Sequence, residues 1–355
     1  MTIGGPSPRW PAKMQAMRIH RTSNISQHSD PLVPDEVPVP MPSSNEVLIR
    51  VETCGVCHTE LDEIEGRTPP SVFPMTPGHQ VTGKIVQTGS ECSRDLMDAK
   101  VGVAWIFSSC GVCDYCVTGQ ENLCREFLAC GRDANGGYAE YMVIDENYIH
   151  RLPGTLSAIS ATPLLCAGAV GYRALAMCQL VNGQSLGLTG FGASGHLVLQ
   201  MARHLYPASR ICVFTRNPAE QDFARELGAD WAGDTGDHAP FPAVAIIDTT
   251  PAWKPVRTAL AQLTPGGRLI INAIRKEEKD KDELLKLNYE KHLWQEKSIH
   301  SVANVTRKDV RQCLDLAAEI QLEPEVTTYP LAQANRALQE LKQGPQRGAK
   351  VLLVA

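Results

Sequence analysis

The chain has 355 residues, a formal net charge of −5, and 43% hydrophobic and 21% charged residues. Its length suggests about two domains, and its acidic balance, with no dense Lys/Arg run, argues against a general nucleic-acid-binding protein. No stretch approaches the ~20 apolar residues that span a bilayer, and residues 1–13 lack the apolar core of a signal peptide. Twelve cysteines without a secretion signal favour a reducing compartment and metal binding over disulfides. We therefore expect a cytoplasmic protein with no membrane or nucleic-acid partner.

The first half of the chain, residues 17–150, is predicted to be rich in β-strands. Segments 47–51, 81–86 and 138–143 combine β-branched residues with intervening polar positions, which is typical of strands. Pro and Gly residues punctuate the stretches between these segments. These features predict a compact, irregular β domain.

Four cysteines form the strongest local pattern in the sequence, with the spacing C-x2-C-x2-C-x7-C. Four thiolates at this spacing can bind one tetrahedral zinc with no open position, which is a structural site. The segment between them is polar and rich in turn residues, so it needs a bound metal to hold it together. An iron–sulfur cluster is the alternative, because thiolates also hold such clusters, but no companion cluster motif favours it. The predicted zinc ligands are Cys110, Cys113, Cys116 and Cys124.

A second candidate metal site draws its ligands from three separate places: Cys57, His79 and Cys166. A catalytic zinc takes three protein ligands and keeps one position open, and one His with two Cys suits it. Cys54, at C-x-x-C spacing from Cys57, allows two alternatives, which are half of a four-cysteine zinc site and a redox pair. The complete set in the other cluster weighs against the first alternative, and the absence of a βαβ pattern around Cys54 weighs against the second.

A glycine-rich loop indicates a nucleotide-binding domain in the second half of the chain. Residues 185–190 are predicted to form a strand and residues 196–203 a helix, with G-x-G-x-x-G between them. This strand–turn–helix setting is the one that dinucleotide-binding sites require. Gly190 is expected to allow the tight turn, Gly192 to let the backbone approach a pyrophosphate, and Gly195 to allow close helix–strand packing. The free N–H groups at the helix start attract phosphates.

The rest of the chain alternates strands and helices, as a doubly wound parallel sheet requires. The terminal segment 350–354 is a predicted strand that returns to the first domain. The other predicted strands are 210–215, 244–249, 269–274 and 299–302, and the predicted helices are 171–180, 217–227, 253–263, 308–319 and 331–342.

In this order, the motifs resemble those of the zinc-dependent medium-chain alcohol dehydrogenases. The resemblance rests on the segments around Cys57, His79 and Cys166, on the four-cysteine lobe and on the glycine loop, and it covers nearly the whole chain. It implies an α/β fold in which a Rossmann doubly wound parallel sheet joins a GroES-like β-rich catalytic domain, with the active site in the cleft. It also implies a homodimer or homotetramer. The implied boundaries are 1–167 and 304–355 for the catalytic domain, about 108–126 for its zinc lobe, and 168–303 for the Rossmann domain.

By position, the resemblance implies that Cys57, His79 and Cys166 hold the catalytic zinc, so that each subunit has two Zn²⁺. Thr59 would accept the proton of the alcohol, and His58 would lie near the cofactor phosphates. Zinc lowers the pKa of a bound hydroxyl and polarises an aldehyde carbonyl, while hydride passes between the substrate carbon and the nicotinamide. The residues implied for the cofactor loop are Gly190, Gly192, Ala193, Ser194 and Gly195.

Two residues near the zinc ligands depart from the family pattern. Gln80 stands where many members have Glu, so we expect less negative charge around the metal. Asp62 stands where several members have a His that relays the proton outward, so the path of the proton stays open. Neither residue is a metal ligand, and we expect activity to survive both changes.

The end of the second predicted strand of the sheet indicates NADP(H) rather than NAD(H) as the cofactor. An NAD site usually places Asp or Glu about twenty residues past the glycine loop. Here the strand ends at Thr215 and Arg216, with no acid at its tip. Thr215 can hydrogen-bond a 2′-phosphate and Arg216 can pair with it. Alternatively, Arg216 is a solvated loop residue.

These features predict an oxidoreductase that interconverts small-molecule alcohols and aldehydes. Two alternatives stay open, which are a nucleotide-binding protein without catalytic zinc and a zinc-free quinone reductase of the same fold. The intact set of Cys57, His79 and Cys166 favours the dehydrogenase. The substrate is not identified, because scattered loop and helix residues form the walls of the pocket.

Overall fold

The structure, a computed structural model, describes residues 10–344 and 347–354 of the chain. The strands are β1 (Lys13–Ile19), β2 (Leu32–Pro38), β3 (Glu46–Val56), β4 (Val81–Thr88), β5 (Lys100–Val103), β6 (Ile106–Ser108), β7 (Leu128–Ala129), β8 (Tyr141–Asp145), β9 (Ile149–Arg151), β10 (Leu186–Thr189), β11 (Ile211–Phe214), β12 (Trp231–Gly233), β13 (Ala243–Asp248), β14 (Leu263–Ile271), β15 (Ser298–Ser301), β16 (Val326–Pro330) and β17 (Ala349–Leu353). The helices are α1 (His58–Ile64), α2 (Asp114–Val117), α3 (Ala158–Pro163), α4 (Ala169–Met177), α5 (Ala193–Leu205), α6 (Pro218–Glu226), α7 (Lys254–Gln262), α8 (Tyr289–His292), α9 (Arg307–Glu319) and α10 (Ala334–Gln343), with a π-helical turn at Leu164–Gly168.

The first domain is built on a seven-stranded sheet in which β3 is central. The strand order is β16-β17-β3-β4-β5-β9, and β8 also pairs with β3. Val47 and Ile49 of β3 pack into the main core of this domain, whereas Leu48 packs against the core under the β1–β2 hairpin. Successive side chains of a strand point to opposite faces, so a strand buried on both faces has a continuous apolar run. The predicted strands at 47–51 and 81–86 are confirmed, and the one predicted at 138–143 begins later, at Tyr141.

The last strand of the chain returns to the first domain, as the sequence predicts. β17 pairs antiparallel with β3, with Leu352 opposite Cys54, and parallel with β16. Val351 and Leu352 are fully buried. The C-terminal strand therefore supports the end of β3, from which the chain passes directly to Cys57.

The second domain contains a six-stranded sheet in the order β12-β11-β10-β13-β14-β15. All of its pairings are parallel, which confirms the predicted doubly wound sheet. Every residue of β10 and β11 is buried, because helices cover both faces of such a sheet. The chain order reverses between β10 and β13, and ligands bind at the carboxyl ends of the strands at such a switch point.

Strand β14 differs from the strand predicted at 269–274. It begins at Leu263, which already pairs with Ala243, and the regular pairing resumes with Arg268 opposite Ala245. The Pro-Gly-Gly segment between these pairs is therefore an irregularity inside the strand rather than a turn before it. The strand ends at Ile271, so the residues that follow lie in a loop at the carboxyl edge of the sheet.

The helical run 158–177 lies in the interior of the protein. Its length and mean hydropathy of 1.2 are enough for a membrane span, contrary to the expectation that no stretch of the chain approaches one. However, 56% of the apolar window is buried inside the protein, and α4 packs against α5 and α9. We interpret the run as a core helix, with the π-helical turn at Leu164–Gly168 in its middle.

His150 of β9 is a buried, uncharged histidine at the contact between the first domain and α9. Its side chain lies beside a cavity of about 420 Å³. Burial, together with the charges of Arg311 and Arg307, lowers the pKa of His150 to about 3. The unfolded chain binds a proton at this residue below about pH 6.5, so folding below that pH releases the proton. The charged residues that line the adjoining cavities are Glu146, Arg151, Arg307, Arg311 and Asp315.

We predict that His150 makes the folded protein sensitive to mild acid. A depressed histidine pKa contributes stability above the unfolded pKa of about 6.5, and this stability is lost as pH falls towards the folded pKa. In urea unfolding at fixed zinc, wild type should lose about 2 kcal/mol more than His150→Gln between pH 7 and pH 5. Parallel pH dependences in the two proteins would show that His150 does not exclude a proton.

Candidate active site and metal sites

Cys57 begins helix α1, and the sequence of the first turn explains why the helix begins there. Cys57 is the N-cap residue, with φ −130° and ψ 165°, and it forms a capping box with Glu60. The backbone N–H of Cys57 donates to Glu60 Oε2 at 2.8 Å, which satisfies a donor that the helix cannot reach. The box fixes the orientation of the Cys57 side chain at the end of β3.

His79 is held by the other oxygen of the same carboxylate. His79 Nδ1–H donates to Glu60 Oε1 at 2.7 Å, and the ring meets Trp105 edge-on at a centroid distance of 5.0 Å. Gly78, with φ +102°, precedes it, and a side chain at this position would collide with Tyr138. In the neutral imidazole, donation from Nδ1 to the carboxylate leaves the lone pair on Nε2. Nε2 is buried and has no hydrogen-bond partner among the described residues, as expected of an atom reserved for a metal.

Cys166 completes this group from the π-helical turn at Leu164–Gly168. Such turns interrupt α-helices at functional positions. The ligand atoms of Cys57, His79 and Cys166 all lie within 4.8 Å of one another. The thiol of Cys166 donates to Cys57, which lowers the pKa of Cys57 well below its ordinary value and raises that of Cys166. Two soft sulfur donors and one imidazole nitrogen are a donor set that suits zinc.

The remaining residues of this segment occupy different environments. Thr59 is 4% exposed, and its Oγ1 lies 3.6 Å from Cys57 Sγ. His58, by contrast, is exposed. Cys54 is fully buried, and burial raises the pKa of its thiol well above the ordinary value. Because Cys54 is not one of the clustered donors, the structure gives no support to a four-cysteine metal site that includes it. The raised pKa of its buried thiol disfavours a redox pair with Cys57.

The four cysteines of the lobe also come together, with all ligand atoms within 4.8 Å of one another. Cys110 Sγ lies 3.9 Å from Cys116 Sγ and 3.6 Å from Cys124 Sγ. Hydrogen bonds from the backbone N–H groups of Val112 and Cys113 lower the pKa of Cys110 to about 7, which favours the thiolate that a metal requires. No residue of α2 is buried. The lobe therefore has little apolar packing of its own, and a closed four-thiolate zinc site fits it.

The glycine loop has the geometry that the sequence predicts. Gly190 has φ +82°, and a Cβ at this position would lie 2.7 Å from Thr249 Oγ1. Gly192 caps helix α5, and a Cβ there would face open space. A Cβ on Gly195 would lie 2.8 Å from the backbone oxygen of Gly190. Gly190 and Gly195 thus permit close packing, and Gly192 leaves the helix start open to a ligand.

Ser194 links the glycine loop to the metal-ligand segment. Its hydroxyl donates to the backbone oxygen of Ala167 at 3.0 Å, and Ala167 follows Cys166 directly. Asn272 Nδ2 donates to Ser194 Oγ at 3.2 Å. Ser194 was predicted as part of the loop, but Asn272 was not predicted near it, because no spacing rule joins two residues so far apart.

Comparison with known proteins identifies the family. The model described as alcohol dehydrogenase GroES-like domain matches residues 43–154, and that described as zinc-binding dehydrogenase matches residues 193–319. A probable alcohol dehydrogenase AdhA from Mycobacterium tuberculosis (strain CDC 1551 / Oshkosh) is 40% identical over 354 residues, which cover 98% of this chain and 99% of that protein. The chain belongs to the zinc-type medium-chain alcohol dehydrogenases. The expected family is thus confirmed.

Solved structures share the fold of this dehydrogenase. Acetophenone reductase from Geotrichum candidum NBRC 4597, in complex with NAD, superposes with a TM-score of 0.83 at 23% identity, covering 98% of each chain. CAD from Helicobacter pylori, complexed with NADP(H), superposes with a TM-score of 0.83 at 21% identity, covering 96% of this chain and 98% of that one. With the family models, they confirm a GroES-like domain joined to a Rossmann domain.

A carboxylate lies at the tip of strand β11, where the sequence predicted none. Thr215 is 5% exposed, and its hydroxyl donates to the carboxylate of Glu220 on α6. Arg216 is exposed. A 2′-phosphate would therefore have to compete with Glu220 for the Thr215 hydroxyl. No acid stands at the strand tip in the sequence, but the first turn of α6 brings Glu220 back to it.

The surroundings of the metal ligands also contain more acid than Gln80 suggests. Gln80 is buried and packs over Gly55, but Glu60 and Glu63 of α1 are both 0% exposed. Both carboxyl oxygens of Glu63 lack a hydrogen-bond partner among the described residues. Glu60 could have been found from its place three residues after the N-cap, which is the capping-box position. Burial raises the pKa of Glu63 well above its ordinary value, which favours the neutral form, so the expectation of a less negative environment stays a prediction.

We predict that Glu60→Gln weakens binding of the catalytic metal by about 10- to 100-fold, the usual cost of losing a carboxylate that orients a metal-ligating His. The amide cannot replace the charge that fixes the His79 tautomer. Competition with a chromophoric chelator measures the affinity. Glu65→Gln, at the end of the same helix and paired with Arg67 instead, is the matched control and should leave it unchanged. An equal effect in both variants would contradict the assignment.

Proposed function

We propose that this dehydrogenase is a zinc-dependent alcohol dehydrogenase and aldehyde reductase that uses a nicotinamide cofactor. The observation that carries the proposal is the convergence of Cys57, His79 and Cys166, with His79 Nε2 buried and unpartnered behind a carboxylate-bound Nδ1. A zinc-free reductase of the same fold would have no use for such an imidazole, since an unsatisfied buried nitrogen costs free energy. The zinc-free alternatives are therefore disfavoured.

In the proposed reaction, the residues of the chain bind, orient and exchange a proton. Zinc held by Cys57, His79 and Cys166 would lower the pKa of a bound alcohol and polarise a bound aldehyde. The Thr59 hydroxyl, buried beside Cys57, would accept the alcohol proton and return it in the reverse direction. His58, exposed at the start of α1, would contact the cofactor phosphates.

The glycine loop would hold the pyrophosphate of the cofactor at the start of α5. The backbone N–H groups of Gly192, Ala193 and Ser194 begin the helix, where free donors and the helix dipole attract phosphate. Since Ser194 also binds the backbone next to Cys166, the loop would place the cofactor relative to the metal. Hydride transfer between the substrate carbon and the nicotinamide is the chemistry of the cofactor itself.

We predict two zinc ions per subunit with separable roles. Cys166→Ala should abolish turnover of alcohols and aldehydes while the protein stays folded and binds cofactor. Cys113→Ser should chiefly lower stability, since structural zinc contributes on the order of 10 kcal/mol in small peptide sites. Metal analysis, cofactor titration and turnover of a panel of aldehydes measure the three properties.

Cys212→Ala is the control for both variants, because Cys212 is a buried cysteine in the coenzyme sheet and not part of either donor cluster. It should keep both zinc ions and full turnover. A fully active wild-type protein with one zinc per subunit would refute the two-site proposal.

We also propose a preference for NADP(H) over NAD(H), which Arg216 would mediate. Pairing of its guanidinium with a 2′-phosphate is worth roughly 1.5–3 kcal/mol, or about 10- to 150-fold in binding. Arg216→Ala should raise the KM for NADPH by about this factor and leave NADH nearly unchanged. Glu220→Gln should shift the preference further towards NADPH, because it removes a carboxylate that binds Thr215.

Arg225→Ala is the control for the cofactor prediction. Arg225 lies on α6, the helix that carries Glu220, but it pairs with Asp222 and with the backbone oxygen of Ala232. Both cofactors should therefore bind to this variant as they bind to wild type. Equal losses with NADPH and NADH in Arg216→Ala would mean that Arg216 does not read the 2′-phosphate. A wild-type preference for NADH would refute the proposal.

We also propose that the protein is a homodimer or homotetramer in the cytoplasm. Strand β15 lies at the edge of the six-stranded sheet, and Ile299 on it is 42% exposed. Tyr289 and Trp294 form an edge-on pair nearby in the chain and are 62% and 56% exposed. An unpaired edge with exposed apolar groups is a surface that a second copy could cover. All twelve cysteines are free thiols, which suits a reducing compartment.

A further inference from the structure

The Asp62 carboxylate lies between two arginine side chains at the contact between the two domains. Asp62 is 1% exposed. Arg67 Nε donates to Asp62 Oδ1 at 2.5 Å, and Arg275 Nε donates to Oδ1 at 2.8 Å and to Oδ2 at 3.0 Å. A buried carboxylate depends on such partners, because its desolvation is not repaid without them. The ion pairs with Asp62 therefore constrain the positions of both Arg67 and Arg275.

The two arginines come from different domains. Arg67 follows α1, and its backbone N–H donates to the backbone oxygen of Asp62 at 2.9 Å, so this pair is local. Arg275 belongs to the loop after β14, in the second domain, which contains the six-stranded sheet and is called the coenzyme domain below. The same acid thus has one partner from its own domain and one partner from across the cleft.

The loop that carries Arg275 is attached to the coenzyme domain on both sides. Before it, the Asn272 side chain binds Ser194. After it, Lys276 Nζ donates to the fully buried carboxylate of Asp248 and to the backbone oxygen of Thr250 at 2.7 Å. Because both flanks are fixed, a displacement of Arg275 relative to Asp62 requires a displacement of the carboxyl edge of β13 and β14.

On its own side of the cleft, Asp62 lies on the same helix as Thr59, the proposed proton acceptor. It lies three residues after Thr59 on α1, so the two residues share one face of the helix. In a doubly wound sheet the second half, here β13 to β15, binds the second nucleotide of the cofactor. The Asp62–Arg275 pair therefore joins the helix of the proposed proton acceptor to the half of the sheet that would hold the nicotinamide.

We propose that Arg275 is a positioning residue for hydride transfer. Through Asp62 it sets the distance between the nicotinamide half of the coenzyme domain and the helix that carries Cys57 and Thr59. Arg67 neutralises the same carboxylate from within one domain and sets no such distance. Transfer rates depend steeply on separation, and a misplacement of about 1 Å can cost on the order of 100-fold. The inference rests on the proposed nicotinamide-dependent reaction.

Arg275→Gln and Arg67→Gln test this proposal as a matched pair, because both remove one guanidinium from the same carboxylate. In single-turnover experiments with aldehyde and NADPH, Arg275→Gln should slow hydride transfer by about 10- to 100-fold, and Arg67→Gln by less than about threefold. The primary deuterium isotope effect on kcat should rise in Arg275→Gln only, since hydride transfer then limits turnover. Asp62→Asn should resemble Arg275→Gln, and the double variant should be little slower than either, because the two residues act as one unit.

Hydrogen exchange of residues 272–276 in the cofactor-free protein gives a readout that needs no turnover. Exchange should quicken in Arg275→Gln and in Asp62→Asn, where the tie between the domains is lost, and stay unchanged in Arg67→Gln. Equal slowing of hydride transfer in Arg67→Gln and Arg275→Gln, or unchanged exchange in Arg275→Gln, would overturn the proposal. A wild-type protein that transfers no hydride would instead refute the proposed function, and the exchange comparison would still decide whether Arg275 joins the domains.

Discussion

The carboxylate of Glu60 is the constraint on which the rest of the active-site region depends. One of its oxygens accepts the backbone N–H of Cys57, and the other accepts Nδ1–H of His79. A single fully buried side chain therefore caps helix α1 at Cys57 and holds His79 so that Nε2 lies near the sulfur atoms of Cys57 and Cys166. A carboxylate behind a ligating imidazole also raises the basicity of the ligand, so the arrangement is both a folding device and a preparation for a metal.

Connections between distant segments bring the third predicted ligand and the cofactor loop into the same region. Cys166 lies in a π-helical turn whose neighbour, Ala167, accepts a hydrogen bond from Ser194 of the glycine loop. Asp62 and Arg275 join the two domains from the opposite side. The proposed metal ligands and the start of α5 are thus held by bonds on both sides of the cleft, which is the condition for a reaction that needs two reactants at a fixed separation.

The four-cysteine lobe shows a different balance of forces. No residue of its helix α2 is buried. Two hydrogen bonds connect the lobe to the second half of the chain, from the Arg307 backbone N–H to Glu121 and from the Asn122 side chain to the backbone oxygen of Ala303. In a segment of this kind a metal replaces a hydrophobic core as the source of order. The core of the first domain, by contrast, depends on β3 and on the returning strand β17, which bury apolar residues on both faces of the sheet.

Local patterns in the sequence determined the elements whose cause is local. Apolar runs predicted the buried strands of the doubly wound sheet, Gly190, Gly192 and Gly195 predicted the loop, and cysteine spacing predicted the lobe. The predicted start of β14 was wrong, because residues on both sides of the Pro-Gly-Gly segment pair with β13. Only tertiary structure decided that Glu60 meets His79, that Asn272 meets Ser194 and that Asp62 meets Arg275. Spacing rules reach a few residues along a helix or a turn, whereas these contacts join segments that only the packed sheets and domains bring within hydrogen-bonding distance.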